Sequence, residues 1–255
     1  MRIVVKVGTS TLAYATTGRI NIRRMEVLCK TISDIKNAGH EIIFVSSGAI
    51  AMGMGKLGLK EKPNTVQGKQ ACAAIGQCEL MYTYDKLFGE YNHVTAQILV
   101  SNEDFANEKR NQNFINTIES ILSYSAIPVI NENDTVSTKE IEIGDNDSLG
   151  AYVAKSLKAE LYVILSDING LYTDDPNKNP DAKMIKVVER VDDSLMELAG
   201  DTNTMVGTGG MITKLQAAQV VTEAGCDMII ANGKDPSILY DVIDGKEVGT
   251  KFLRR

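Results

Sequence analysis

Arg2-Ile3-Val4-Val5-Lys6-Val7-Gly8-Thr9-Ser10 (RIVVKVGTS, residues 2–10) begins the chain with a β-branched run that stops at a glycine and two hydroxyls. A short apolar run bounded by turn residues reads as a strand buried on both faces. Working outward, Ile22, Met25, Cys29, Ile32 and Ile35 recur at three- and four-residue steps. That spacing predicts an amphipathic helix, with Asn21 as its N-cap and Gly39 just past its end. Glu41–Val45 is a second apolar run, and it ends in Ser46-Ser47-Gly48-Ala49, which leads into another helix. Strand, helix and strand in immediate succession make the unit from which parallel sheets are built.

The same alternation continues. Val94–Val100, Ala126–Ile130, Leu161–Leu165 and Asp227–Ala231 read as further buried strands, with helices near 69–88, 110–124, 148–157, 211–224 and 235–243. The expected class is α/β, a three-layer sandwich with a central, mostly parallel sheet covered on both faces. Two segments break the rhythm. TVSTKEIEI (135–143) alternates partly and predicts a polar hairpin, and DDPNKNP (174–180) is turn-rich. No linker composition interrupts the chain, so 1–255 is expected to be a single domain with two lobes.

Composition bounds the function. The 255 residues carry 27 basic and 33 acidic side chains, a formal net charge of −6. That balance argues against nucleic acid as the main partner, since nucleic-acid binders usually carry a basic surface. Cys29, Cys72, Cys78 and Cys226 form no CxxC pair and fall in apolar segments, which predicts buried reduced thiols. The opening MRIVVKVG lacks the form of a signal peptide, and no run approaches the length of a membrane span, so a cytoplasmic protein is expected.

In open α/β sheets ligands gather beyond the carboxyl ends of the strands. The residues there are Gly8-Thr9-Ser10, Ser46-Ser47-Gly48, Asn131-Glu132-Asn133-Asp134 and Ser166-Asp167. Each has a bland reading: a turn for the first, helix capping for Ser46 and Ser47. Lys6 is sharper, because a lysine inside an apolar strand must either reach solvent or pair with an anion, such as a ligand phosphate. Gly207-Thr208-Gly209-Gly210-Met211-Ile212-Thr213-Lys214 precedes an apolar-patterned helix, a setting in which backbone N–H groups approach phosphate closely. It is neither a Walker A loop nor GxGxxG, and a plain glycine-rich turn is its alternative. Gly144-Asp145-Asn146-Asp147-Ser148 reads as a turn plus an N-cap. Its carboxylates beside Glu132 and Asp134 nonetheless require cations, which Lys6, Lys214 and a magnesium ion would supply.

The two histidines, His40 and His93, fall at the starts of predicted strands, away from these residues. A site rich in lysines, glycines and carboxamides but poor in bases suits phosphoryl transfer, which needs mainly positioning and charge neutralisation. A carboxylate acceptor, with a pKa of about 4, is already ionised at neutral pH and needs no base. Asp134 or Asp147 acting as a base stays open.

Taken together, VVKVGTS (4–10), VSSGAIAMG (45–53), PVINENDTV (128–136), IGDNDSL (143–149), LSDINGLYT (165–173) and GTGGMITK (207–214) resemble the amino acid kinase family, in the family's order and across almost the whole chain. The resemblance implies an amino acid kinase-like fold, with roughly 1–150 as the substrate-binding lobe and 151–255 as the nucleotide-binding lobe. It implies ATP as co-substrate with Mg2+, and transfer to the γ-carboxylate of L-glutamate, the first step of proline biosynthesis. Lys6 and Lys214 would contact the transferring phosphoryl group, and Asp147 would organise them near the magnesium, which the ATP phosphates and water would hold. Ser47, Asp134 and Asn146 would bind glutamate, with Asp134 taking its ammonium. Lys6, Ser166, Asp167, Thr208, Gly209, Gly210, Met211, Ile212, Thr213 and Lys214 would hold the nucleotide. A homo-oligomer inhibited by proline is also implied. Related members often carry a C-terminal domain resembling RNA-modification modules, whereas this sequence stops shortly after Val248-Gly249-Thr250. Kinases of N-acetylglutamate, carbamate or aspartate, and a non-catalytic sensor of amino acid and nucleotide, stand as the alternatives.

Overall fold

The computed structural model describes residues 1–14, 19–137, 146–174, 176, 178–201 and 210–255. The opening run forms β1 (Arg2–Val7), parallel to β2 (Glu41–Ser46) on one side and to β5 (Leu161–Ser166) on the other. The other strands are β3 (Thr95–Val100), β4 (Ile127–Glu132), β6 (Leu171–Tyr172), β7 (Met184–Ile185), β8 (Val187–Val188), β9 (Asp227–Asn232) and β10 (Thr250–Phe252). The main sheet has the order β3-β4-β2-β1-β5-β9-β10-β8, while β6 and β7 make a small separate ribbon. Among the described strands of the main sheet only the β10–β9 pairing is antiparallel. The α/β class and mostly parallel sheet expected from the sequence are therefore present.

Ten helices are described: α1 (Thr9–Leu12), α2 (Ile22–Asn37), α3 (Ala49–Leu57), α4 (Val66–Gly89), α5 (Asn102–Ala106), α6 (Glu108–Ser123), α7 (Asp147–Ser156), α8 (Asp193–Asp201), α9 (Gly210–Glu223) and α10 (Ile238–Ile243). Asn21 caps α2 by accepting the Arg24 N–H at 3.1 Å, as the sequence predicts. Side-chain alternation sorts each strand onto two faces. Val4, Ile43, Ile130, Tyr162 and Ile164 pack under α6, α7 and α9, with Ile118, Leu149, Val153 and Leu215 as partners. Ile3, Val5, Ile42, Phe44, Val129 and Val163 pack against α2, α3, α4 and α10 through Met25, Leu28, Met52, Tyr84 and Leu239. Lys6 shares the parity of Val4, so it projects toward α7 and α9.

Two expectations need correction. β3 is half-exposed rather than buried, because among the described strands it is the edge of the sheet, flanked by β4 alone. Cys29, Cys72 and Cys226 are buried free thiols, but Cys78 is exposed, since it lies on the solvent side of α4. Most of the expected 135–143 hairpin lies outside the described residues.

Glycine fixes how α3 and α4 meet. A Cβ on Gly76 would sit 1.8 Å from the Ala49 carbonyl oxygen, and one on Gly53 would sit 1.9 Å from the Cys72 carbonyl oxygen. Both obstacles are backbone, so no rotamer change relieves them. Gly76→Ala is expected to cost about 1–3 kcal/mol through overpacking, read as a lowered Tm.

Candidate active site

Lys6, Asp147 and Lys214 come from β1, the first residue of α7 and the first turns of α9. The fold brings them into contact at the carboxyl ends of β1 and β5. The Lys6 ammonium donates to Asp147 Oδ1 at 2.6 Å, and the Lys214 ammonium donates to Asp147 Oδ2 at 2.9 Å. Asp147 is fully buried and Lys6 is 5% exposed. Thr213 Oγ1 donates to Asp147 Oδ2 at 3.3 Å, and the Tyr162 hydroxyl donates to the Asp147 backbone carbonyl at 3.0 Å.

The electrostatics are decided by the lysines. Burial alone would push the Asp147 carboxyl up, yet Lys6 first and Lys214 next hold it well below the usual carboxylate range. Its place in the first turn of α7 adds the favourable end of a helix dipole. The result is a fixed anion between two ammonium groups.

A second cluster adjoins this one. Asn146 occupies the N-cap position of α7, but its side chain does not cap the helix. Its Nδ2 donates instead to Ser47 Oγ (3.0 Å), Ser46 O (3.2 Å) and Asn131 Oδ1 (3.0 Å). The N-cap reading of Asn146 holds for the backbone position only. Ser47 lies between β2 and α3, followed by Gly48 at φ +105°, a left-handed conformation that favours glycine. Asn131 Nδ2 donates to Gln77 Oε1 at 2.8 Å. Two buried acceptors, Asn146 Oδ1 and Asp134 Oδ1, receive no hydrogen bond from the described residues. A buried acceptor left without a donor is costly unless a ligand supplies one. Burial chiefly, with Glu132 adding and exposed Lys62 opposing, raises the Asp134 carboxyl to about 7.

The remaining residues fall into separate places. Ser166 ends β5, its hydroxyl donating to Asp167 Oδ1 at 3.2 Å, and Asp167 is exposed. Gly210 starts α9, Met211 is half-buried and Ile212 is exposed. Thr208 and Gly209 lie outside the described residues. His40 and His93 stand just before β2 and β3, at the amino ends of those strands. Sequence reasoning gave no role to Asn131, Gln77 or Tyr162. A glutamine on the apolar stripe of α4, between Ala73 and Leu80, is the signal that marks Gln77.

Two lysines on one buried carboxylate, at the carboxyl ends of a mostly parallel sheet, are an arrangement suited to phosphoryl transfer in an α/β protein. The sequence profile of the Amino acid kinase family matches residues 1–232. This chain belongs to that family. It is 49% identical to a glutamate 5-kinase of Clostridium perfringens, over 100% of this chain and 96% of that protein. It is 51% identical to a glutamate 5-kinase of Caldanaerobacter subterraneus, over 99% of this chain and 68% of that protein. Among solved structures, carbamate kinase from Giardia lamblia bound to AMP-PNP superposes with a TM-score of 0.69. That structure covers 100% of this chain and 98% of its own, and at 16% identity the likeness concerns the fold.

Proposed function

We propose that this chain transfers the γ-phosphoryl group of ATP to the γ-carboxylate of L-glutamate, giving L-glutamyl 5-phosphate, the first step of proline biosynthesis. The Lys6–Asp147–Lys214 cluster carries this reading, and the glutamate 5-kinase relatives at 49% and 51% identity support the choice of acid. In the transfer, a glutamate carboxylate oxygen attacks the γ-phosphorus. The bond from that phosphorus to the bridging oxygen breaks, and ADP leaves with the electron pair. The acceptor is already ionised, so no base is needed. Lys6 and Lys214 stabilise the charge that builds on the phosphoryl oxygens, and Asp147 keeps both ammonium groups aimed at one point.

Magnesium accompanies the nucleotide. The described residues hold no cluster of three or more His, Cys, Asp or Glu side chains suited to a metal ion, and both Asp147 oxygens already face lysines. The phosphates and water would hold the ion, which would supply further charge neutralisation near Asp147. Ser166, Asp167 and the 208–214 segment hold the nucleotide within a 151–255 lobe, and Ser47, Asn146 and Asp134 hold glutamate within a 1–150 lobe. Proline, an amino acid with the same ammonium and carboxylate, inhibits by entering the glutamate pocket of a homo-oligomeric, cytoplasmic enzyme. No described helix is long and apolar enough to cross a membrane.

Asp134 gives a signed test. Its carboxyl sits near 7 when folded, above the ordinary value of 3.8. The stability this group contributes is therefore full at low pH and lost as pH rises through about 7. Asp134→Asn removes that loss, so above about pH 7 the ligand-free variant melts higher than the parent protein. The same change deletes the partner of the substrate ammonium. The glutamate KM rises on the order of 10- to 100-fold, and the ATP KM moves little. Equal shifts in both KM values would count against the ammonium contact. The function itself is tested by ADP release with glutamate, N-acetylglutamate, aspartate and carbamate. Glutamate-selective turnover supports the proposal, and turnover of N-acetylglutamate without glutamate refutes it.

A further inference from the structure

We infer that Gln77, on α4, is a positioning residue for the acid substrate, acting through Asn131 to orient Asn146. This rests on the reading that Asn146 contacts the acid.

The three carboxamides form a chain whose polarity is fixed from both ends by backbone groups. At one end the Glu132 N–H donates to Asn131 Oδ1 at 2.9 Å, and a backbone N–H cannot turn round. At the other end Asn146 Nδ2 donates to the Ser46 carbonyl at 3.2 Å, and a carbonyl can only accept. Between these anchors Asn131 Oδ1 takes the Asn146 Nδ2 hydrogen at 3.0 Å, which leaves Asn131 Nδ2 seeking an acceptor. Gln77 Oε1 is that acceptor, at 2.8 Å. With every amide oriented, Asn146 Oδ1 is the group left over, buried and without a donor among the described residues. An oriented acceptor of this kind takes an N–H or O–H donor and rejects a carboxylate oxygen.

The position of Gln77 is itself constrained. Its neighbour Gly76 brings α4 against the Ala49 carbonyl, where a Cβ would sit 1.8 Å away. Ala49 begins α3, directly after Ser47 and Gly48. The helix contact that seats Ser47 thus also seats Gln77, and both converge on Asn146. Loss of the Gln77 oxygen leaves a buried Asn131 N–H without its acceptor. Asn131 then rotates to find another partner and withdraws its own oxygen from Asn146.

Gln77→Met keeps the length of the side chain and removes the acceptor, whereas Gln77→Glu keeps an acceptor. In steady-state assays Gln77→Met should raise the glutamate KM by about 10-fold or more, the effect of one buried hydrogen bond. The ATP KM should stay within about twofold, and Gln77→Glu should recover most of the loss. Thermal-shift titrations with glutamate alone and ATP alone give a second readout, in which only the glutamate-induced shift shrinks in Gln77→Met. An unchanged glutamate KM in Gln77→Met overturns the inference. So does a parallel change in both substrates, or a failure of Gln77→Glu to recover glutamate binding. The parent protein is measured first, because its failure to turn over glutamate would refute the functional reading and not the role of Gln77.

Discussion

Lys214→Ala is expected to lower kcat by roughly 10²-fold or more, with a much smaller change in the ATP KM. Lys214 reaches Asp147 Oδ2 from α9 at 2.9 Å and retains some exposure, and in the proposed function its ammonium meets the transferring phosphoryl group. Charge on the phosphoryl oxygens is greatest during transfer, so a cation placed there acts on the transition state more than on bound ATP. The fold should survive, because Asp147 keeps the Lys6 ammonium at 2.6 Å. Lys214→Arg should rescue poorly, since a planar guanidinium cannot occupy the place of a compact ammonium. An unchanged kcat with a raised ATP KM would make Lys214 a nucleotide-binding residue only.

Asp147→Asn should injure both catalysis and folding. The carboxylate is fully buried and lies against two ammonium groups, and removing one member of a buried ion pair costs about 3–5 kcal/mol. In a chain of this size that lowers Tm by on the order of 10 °C. The pH dependence follows from the depressed carboxyl. Stability from Asp147 is full above the ordinary carboxylate range and is lost as pH falls through its folded value, so the parent protein should lose this increment in strong acid. Asp147→Asn should lack that acid-sensitive increment. Its kcat should fall by roughly 10²-fold or more, because the two lysines lose the anion that aims them. A variant with parent-like Tm and kcat would remove Asp147 from the account. Added ATP should restore part of the lost Tm, as phosphates supply the missing negative charge.

Much of the fold was legible because every central strand is an apolar run with turn residues beyond it. Arg2–Val7 and Leu161–Ser166 are buried on both faces, so β-branched side chains recur without alternation. β3 misled because TAQILV is apolar enough to read as buried, whereas only its pairing partners decide that it lies at the edge. α5, β6, β7, β8 and β10 are too short for a period to show. Lys6 stood out as a lysine within an apolar run. Its contact with Asp147 spans 141 residues of sequence, and no local pattern encodes such a distance. Asn131 and Gln77 were harder still, since a carboxamide declares its role only through the donors and acceptors around it.

The most direct test of the central claim is to run the reaction with ATP, magnesium and L-glutamate in the presence of hydroxylamine. An acyl phosphate at the γ-carboxylate is predicted to be captured as glutamate γ-hydroxamate, one equivalent for each ADP released. ADP release without hydroxamate, or hydroxamate formed at the α-carboxylate, would contradict phosphoryl transfer to the γ-carboxylate.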